Sequence, residues 1–141
     1  MNIPQRIQKA TIYKRRKDMK KFDDMVCRKE WVWHFTKFDK DQLYEMNMGV
    51  LCGLTLDQIN LYADPEMNYL CMRLIKESFQ ELMPIEQVAV FADRKFSYFQ
   101  MNMLKEAFKK GLTIEQVKSI ANPEFTYEQM SNKLNELLKT I

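Results

Sequence analysis

Glycine is scarce in this chain, with three residues in 141, and proline is little commoner, with four. An all-β sandwich needs a turn every ~8–12 residues, and so few turn formers exclude it. No apolar run reaches the ~18 residues of a membrane-spanning helix, and no apolar signal-peptide core follows the N-terminus. There is one histidine, His34, which removes most metal sites and most acid–base designs. Cys27, Cys52 and Cys71 are odd in number and lack metal-ligand spacing, so they read as reduced thiols of an intracellular protein. What is present is 46% hydrophobic residues over a length that suits one domain. A chain of that size can bury roughly 68–70% of the surface its unfolded form exposes.

The net charge of +3 conceals an uneven distribution. Residues 1–37 hold eleven Lys and Arg against four Asp and Glu, a net of +7, whereas residues 38–141 hold eleven against fifteen, a net of −4. That asymmetry describes a basic arm on a weakly acidic body.

The body repeats itself. Ala63-Asp64-Pro65-Glu66-Met67, Ala92-Asp93-Arg94-Lys95-Phe96 and Ala121-Asn122-Pro123-Glu124-Phe125 recur at a spacing of 29 residues. In that register Asp57-Gln58-Ile59, Glu86-Gln87-Val88 and Glu115-Gln116-Val117 align without gaps, as do Leu43, Met72, Met101 and Met130. The units are 38–66, 67–95, 96–124 and a partial 125–141, preceded by a basic segment over 1–37.

Each unit reads as two helices. Asp39, Asn68, Ser97 and Thr126 are N-caps, and Gln42, Gln100 and Gln129 stand three residues later, completing capping boxes. Apolar residues then follow at helical spacing, as Leu43/Met46/Val50, Met72/Ile75/Phe79 and Met101/Leu104/Phe108. Gly53 and Gly111 suit a left-handed stop. Thr55 and Thr113 open a shorter helix, whose buried side is Leu56/Ile59/Tyr62, Ile85/Val88/Phe91 and Ile114/Val117/Ile120. The Asp-Pro or Asn-Pro pair ends it, because proline disfavours helical geometry in the residue before it. Unit two carries Leu82-Met83-Pro84 in place of Gly-Leu-Thr, so its turn is expected to persist with altered geometry. Unit four has Met130, Leu134 and Leu137 inward and Asn132, Lys133, Asn135 and Glu136 outward, as a terminal cap would.

One amphipathic pair cannot bury its apolar side alone, so the units are expected to stack. The fold class is therefore all-α: a short right-handed helical-hairpin solenoid with an N-terminal basic capping helix. Residues 11–35 contain no proline or glycine and place Ile12, Met19, Phe22, Val26 and Trp33 in one stripe, opposite Lys14, Lys17, Lys21 and Arg28.

Three groups of residues are candidates for function. The basic strip Lys14, Arg15, Arg16, Lys17, Lys20, Lys21, Arg28 and Lys29 can contact phosphates of nucleic acid or of a nucleoprotein, or serve only as a solvated face. Tyr69, Tyr98 and Tyr127 form a ladder that is either a protein-binding edge or, the favoured reading, a seam packed between repeats. Six glutamines, Gln42, Gln58, Gln87, Gln100, Gln116 and Gln129, are explained locally by capping. The methionines mostly occupy inward positions, and no glycine-rich loop offers a phosphate cradle. No catalytic residue, metal site or cofactor is assigned. The one arrangement that would reopen catalysis is Cys27 or another thiol within reach of His34.

Phe125-Thr126-Tyr127-Glu128-Gln129-Met130, with the segments from Lys110 to Val117 and from Ala121 to Phe125, resembles short helical repeats in proteins of gut-bacterial plasmids, conjugative elements and phages. The resemblance covers residues 38–141, and Asp41-Gln42-Leu43 and Met83-Pro84 depart from its pattern. It implies an accessory protein in the cytoplasm of a bacterial host, of the anti-CRISPR or anti-defence kind. The implied partner is a protein or nucleoprotein complex such as an RNA-guided CRISPR effector, with no membrane involved. Direct nucleic-acid binding by the basic helix, and adaptor function through the tyrosine edge, are the alternatives.

Overall fold

The computed structural model describes residues 37–140, which form seven α-helices and, within that span, no strand. Four long helices, α1 (Lys40–Leu51), α3 (Tyr69–Gln80), α5 (Tyr98–Lys109) and α7 (Tyr127–Leu138), have twelve residues each. At 1.5 Å per residue that is about 18 Å. Three short helices alternate with them: α2 (Leu56–Asn60), α4 (Ile85–Phe91) and α6 (Ile114–Ile120). The basic segment, with its expected capping helix and its residues Lys14 to Lys29, lies outside the described residues, as do Cys27 and His34.

The long helices pack in succession, α1 on α3, α3 on α5 and α5 on α7, while α4 packs on α6. Each short helix touches the long helices before and after it, so the chain builds two layers of helices. A single apolar cluster runs between them from Phe38 to Leu134. Met72, Met101 and Met130 are fully buried in one column, and Ile59, Val88 and Val117 are fully buried opposite them in the short layer. Helix α2 ends after five residues, and Tyr62, buried beyond it, completes the apolar side that Phe91 and Ile120 complete in the next two units.

Local hydrogen bonding explains where the helices begin. The side chains of Asp39, Thr55, Ser97, Thr113 and Thr126 each accept from the backbone N–H three residues on, and the glutamine there returns the bond. Asn68 caps α3 by accepting from the N–H of Leu70, whereas Pro84 caps α4 with no side-chain bond, so Gln87 closes no capping box.

Two sequence expectations are corrected. The turn of unit two keeps the geometry of its neighbours: Leu82 adopts φ +67°, as Gly53 adopts +86° and Gly111 +97°. Its N–H bonds to the Phe79 carbonyl and that of Met83 to the Ser78 carbonyl, matching the pairs at Gly53–Leu54 and Gly111–Leu112. The hydrogen bonds of this cap outweigh the Cβ penalty of a left-handed leucine. Nor is proline needed to end the short helix, since α4 ends at Phe91 although Arg94 stands at the proline position. The Oδ1 atoms of Asp64, Asp93 and Asn122 accept from Glu66, Lys95 and Glu124, and their carbonyls accept from Met67, Phe96 and Phe125. The loop after α4 forms in the same way with Arg94 at the proline position.

The far side of α7 is polar. Asn132 is exposed where Glu45, Leu74 and Met103 are buried, and Glu136 is exposed where Gly49, Ser78 and Ala107 are buried. A unit stacked on this side of α7 would have to bury both, at a cost unless each found a partner.

Candidate interaction surface

Tyr69, Tyr98 and Tyr127 are the first residues of α3, α5 and α7. Each therefore stands at the N-terminal end of its helix, on one edge of the row of long helices. Tyr98 is 40% and Tyr127 60% exposed, whereas Tyr69 is half-buried, with the Arg73 guanidinium 5.6 Å from its ring centre. Toward α7, therefore, the ladder is a surface rather than a packed seam. Phe99, 68% exposed, stands edge-on to Tyr98 with ring centres 5.8 Å apart, and Leu70 is exposed beside Tyr69. Sequence periodicity does not single out Phe99 and Leu70, because their column reads Asp41, Leu70, Phe99, Glu128.

Between the first turns of α5 and α7 lies a groove of about 530 Å³, lined by Ser97, Phe99, Gln100, Phe125, Thr126 and Tyr127. Gln100 forms its floor. Its Oε1 accepts from the Ser97 N–H, and its Nε2 donates to the carbonyls of Pro123 and Phe125 at 3.2 and 2.8 Å. Gln42 does the same two junctions earlier, donating to Pro65 and Met67. These two glutamines thus cap their own helix and hold the loop of the next unit, a role that local spacing does not reveal. Lys133 Nζ lies 5.0 Å from the centre of the Phe125 ring at the groove's side.

Charge runs across the junctions. Buried Glu45 takes Lys76 at 2.6 Å and Arg73 at 3.1 Å from the next unit, and Lys76 is itself fully buried. Glu81 takes Lys105 at 2.5 Å and Lys109 at 3.1 Å. Burial pushes the Glu81 carboxyl up, but hydrogen bonds from Lys105 and Lys109 outweigh it and hold the group below the usual carboxylate range. The Tyr62 phenol is held well above its ordinary value by burial, with Glu45 nearby adding to it.

Burial likewise raises the thiols of Cys52 and Cys71, in the first case against a hydrogen bond from Gln80 at 2.9 Å. A raised thiol is a poor nucleophile at neutral pH. Among the described residues no group of three His, Cys, Asp or Glu side chains could hold a metal ion, and no helix is long and apolar enough to cross a membrane. Compared with protein families, with curated proteins and with solved structures, the chain finds no match in any of the three.

Proposed function

We propose that this chain is a non-catalytic binding protein that docks on a nucleoprotein effector, as a mobile-element inhibitor of the anti-CRISPR kind would. The observation that carries the reading is the row Tyr98, Phe99 and Tyr127, three aromatic side chains 40–68% exposed beside an apolar groove. Exposed aromatics grouped on one edge are the composition of an interface core. The net +7 of residues 1–37 supplies the complementary half, a basic segment for the partner's phosphates. The proposal includes the finer architecture, a short right-handed solenoid whose first unit is covered by the basic segment.

Affinity capture from bacterial cells expressing an RNA-guided nuclease, with and without nuclease treatment, tests the reading. The expected result is recovery of the nucleoprotein in both arms, lost when Tyr98 and Tyr127 are both changed to Lys. Charge reversal of Lys14, Lys17 and Lys21 to Glu should weaken capture and flatten its salt dependence. Recovery of nucleic acid alone would favour direct nucleic-acid binding instead. Absence of any nuclease or RNA-guided complex overturns the proposal.

A further inference from the structure

We infer that the side of α1 facing away from α3 is the seat of residues 1–37, a side-chain N–H of that segment donating to the Oδ1 of Asn47. This rests on the reading in which the basic segment covers the first unit, and it adds the face and the contact that hold it. Each later long helix meets the unit before it along one line of side chains. Arg73 and Lys76 of α3 reach Glu45, Gln80 reaches Cys52, and Lys105 and Lys109 of α5 reach Glu81. In the 29-residue register α1 carries Tyr44, Asn47 and Leu51 on that line. Lys76, Lys105 and Leu134 are buried at the position where Asn47 is half-buried, and Tyr44 beside it is 50% exposed. Leu43 is likewise half-buried where Met72, Met101 and Met130 are fully buried. Yet the Oδ1 of Asn47 is shut off from solvent with no hydrogen-bond partner, the one such side-chain atom among the described residues. A buried acceptor is costly without a donor, and on this line the donor comes from whatever precedes α1.

Residues 1–36 are the chain outside the described span, and they join it at Lys37, three residues before α1 begins. In the 29-residue register the unit ahead of 38–66 is 9–37, so this segment has the length and the attachment of a preceding unit. Its composition matches the face. Ile12, Met19, Phe22, Val26 and Trp33 can supply apolar cover for Leu43 and Leu51, and eleven Lys and Arg with two indoles can supply the donor for Asn47. A cation there also finds the open ring of Tyr44. A second copy stacking its α7 on this face would instead present exposed Asn132 and Glu136, which bring nothing apolar to Leu43. Seated on α1, the basic segment stands at one end of the row of long helices, and the groove between α5 and α7 opens toward the other. A partner that uses both is held at two separate places.

Trp31 and Trp33 are the only tryptophans of the chain and both lie in this segment, so tryptophan emission of the full chain reports on the segment alone. The native chain should emit to the blue of the urea-unfolded chain and resist acrylamide quenching. Asn47→Lys sets a cation against a segment of net +7, and should shift the emission to the red and raise quenching. The body should stay folded, because Lys76 and Lys105 stand at the same position, and a cooperative thermal transition checks it. Tyr44→Lys, at an exposed site, should release the segment too and carries the test if Asn47→Lys does not fold. Asn47→Asp, a stronger acceptor for a cationic donor, should keep the native emission and make it more sensitive to salt. A native chain whose tryptophans emit as they do in urea overturns both the seat and the covering of the first unit. Protected tryptophans that neither lysine variant releases overturn the seat on α1 and leave the covering standing. If the lysine variants release the segment as expected but the wild-type chain captures no nucleoprotein, the proposed function falls and the seat stands.

Discussion

The hydroxyl of Tyr62 fills the space that a side chain on Gly49 would need: a Cβ built there would lie 2.0 Å from the Tyr62 oxygen. The hydroxyl donates to the Glu45 carbonyl at 3.0 Å, so the turn after α2 is pinned to the middle of α1 through the one residue of that helix with no side chain. Gly49→Ala should therefore destabilise the fold by about 1–3 kcal/mol, as overpacking in cores does. Adding Tyr62→Phe should recover part of the loss, because it removes the clashing atom. Chemical denaturation of the single and double variants measures this, and a double variant no more stable than Gly49→Ala would show that the clash is not the cause.

The buried pair Glu45–Lys76 has an apolar counterpart in the same protein. At the corresponding positions of the last junction stand Met103 and Leu134, both buried. Glu45→Ala alone leaves Lys76 buried without a partner and should cost about 3–5 kcal/mol. Glu45→Met with Lys76→Leu copies the last junction and should be near neutral or stabilising, because Arg73 is one-third exposed and can return to water. A double variant as unstable as the single one would overturn this argument.

Cys71 occupies the position at which Gln42 and Gln100 tie adjacent units together. Cys71→Gln would bring an amide to the carbonyls of Arg94 and Phe96, the equivalents of Pro65 and Met67. Two added hydrogen bonds at about 1 kcal/mol each should raise stability by roughly 1–2 kcal/mol. Thermal and denaturant unfolding measure the gain; a lower midpoint would mean that the α3–α5 junction lacks the room its neighbours have.

Acid should weaken the junction between α3 and α5. The Glu81 carboxyl is held below its ordinary value of 4.5 in the folded protein, so its stabilising contribution is fully present above the unfolded value and is lost as pH falls through the folded one. The side chain is 45% exposed, which limits the effect to about 1 kcal/mol or less. Stability measured from pH 6 down to about pH 3 should fall less for Glu81→Gln than for wild type. Parallel pH curves would exclude a role for this carboxylate.

Gly49, Cys71 and Leu82 mark where legibility in the sequence ends. The 29-residue register, the long and short helices, the five capping boxes and the inward columns were all readable, because each depends on groups three or four residues apart on one helix. Gly49 was silent, since a helical glycine shows its purpose only when another element crosses it. Leu82 was readable as an exception but not in its consequence, because backbone geometry and exposure are settled by the completed turn. At the candidate site the period located Tyr98 and Tyr127, but their exposure and that of Phe99 are set by how the units pack on one another.

By itself, then, the sequence determined a repeating all-helical chain, its caps and its apolar faces, through interactions within a turn or two of helix. Only the tertiary structure decided that Glu45 meets Lys76, that Gln100 holds the loop of the next unit, and that an aromatic groove opens between α5 and α7. Those partners lie 23–31 residues apart, and they meet only because burying the apolar faces sets one unit against the next.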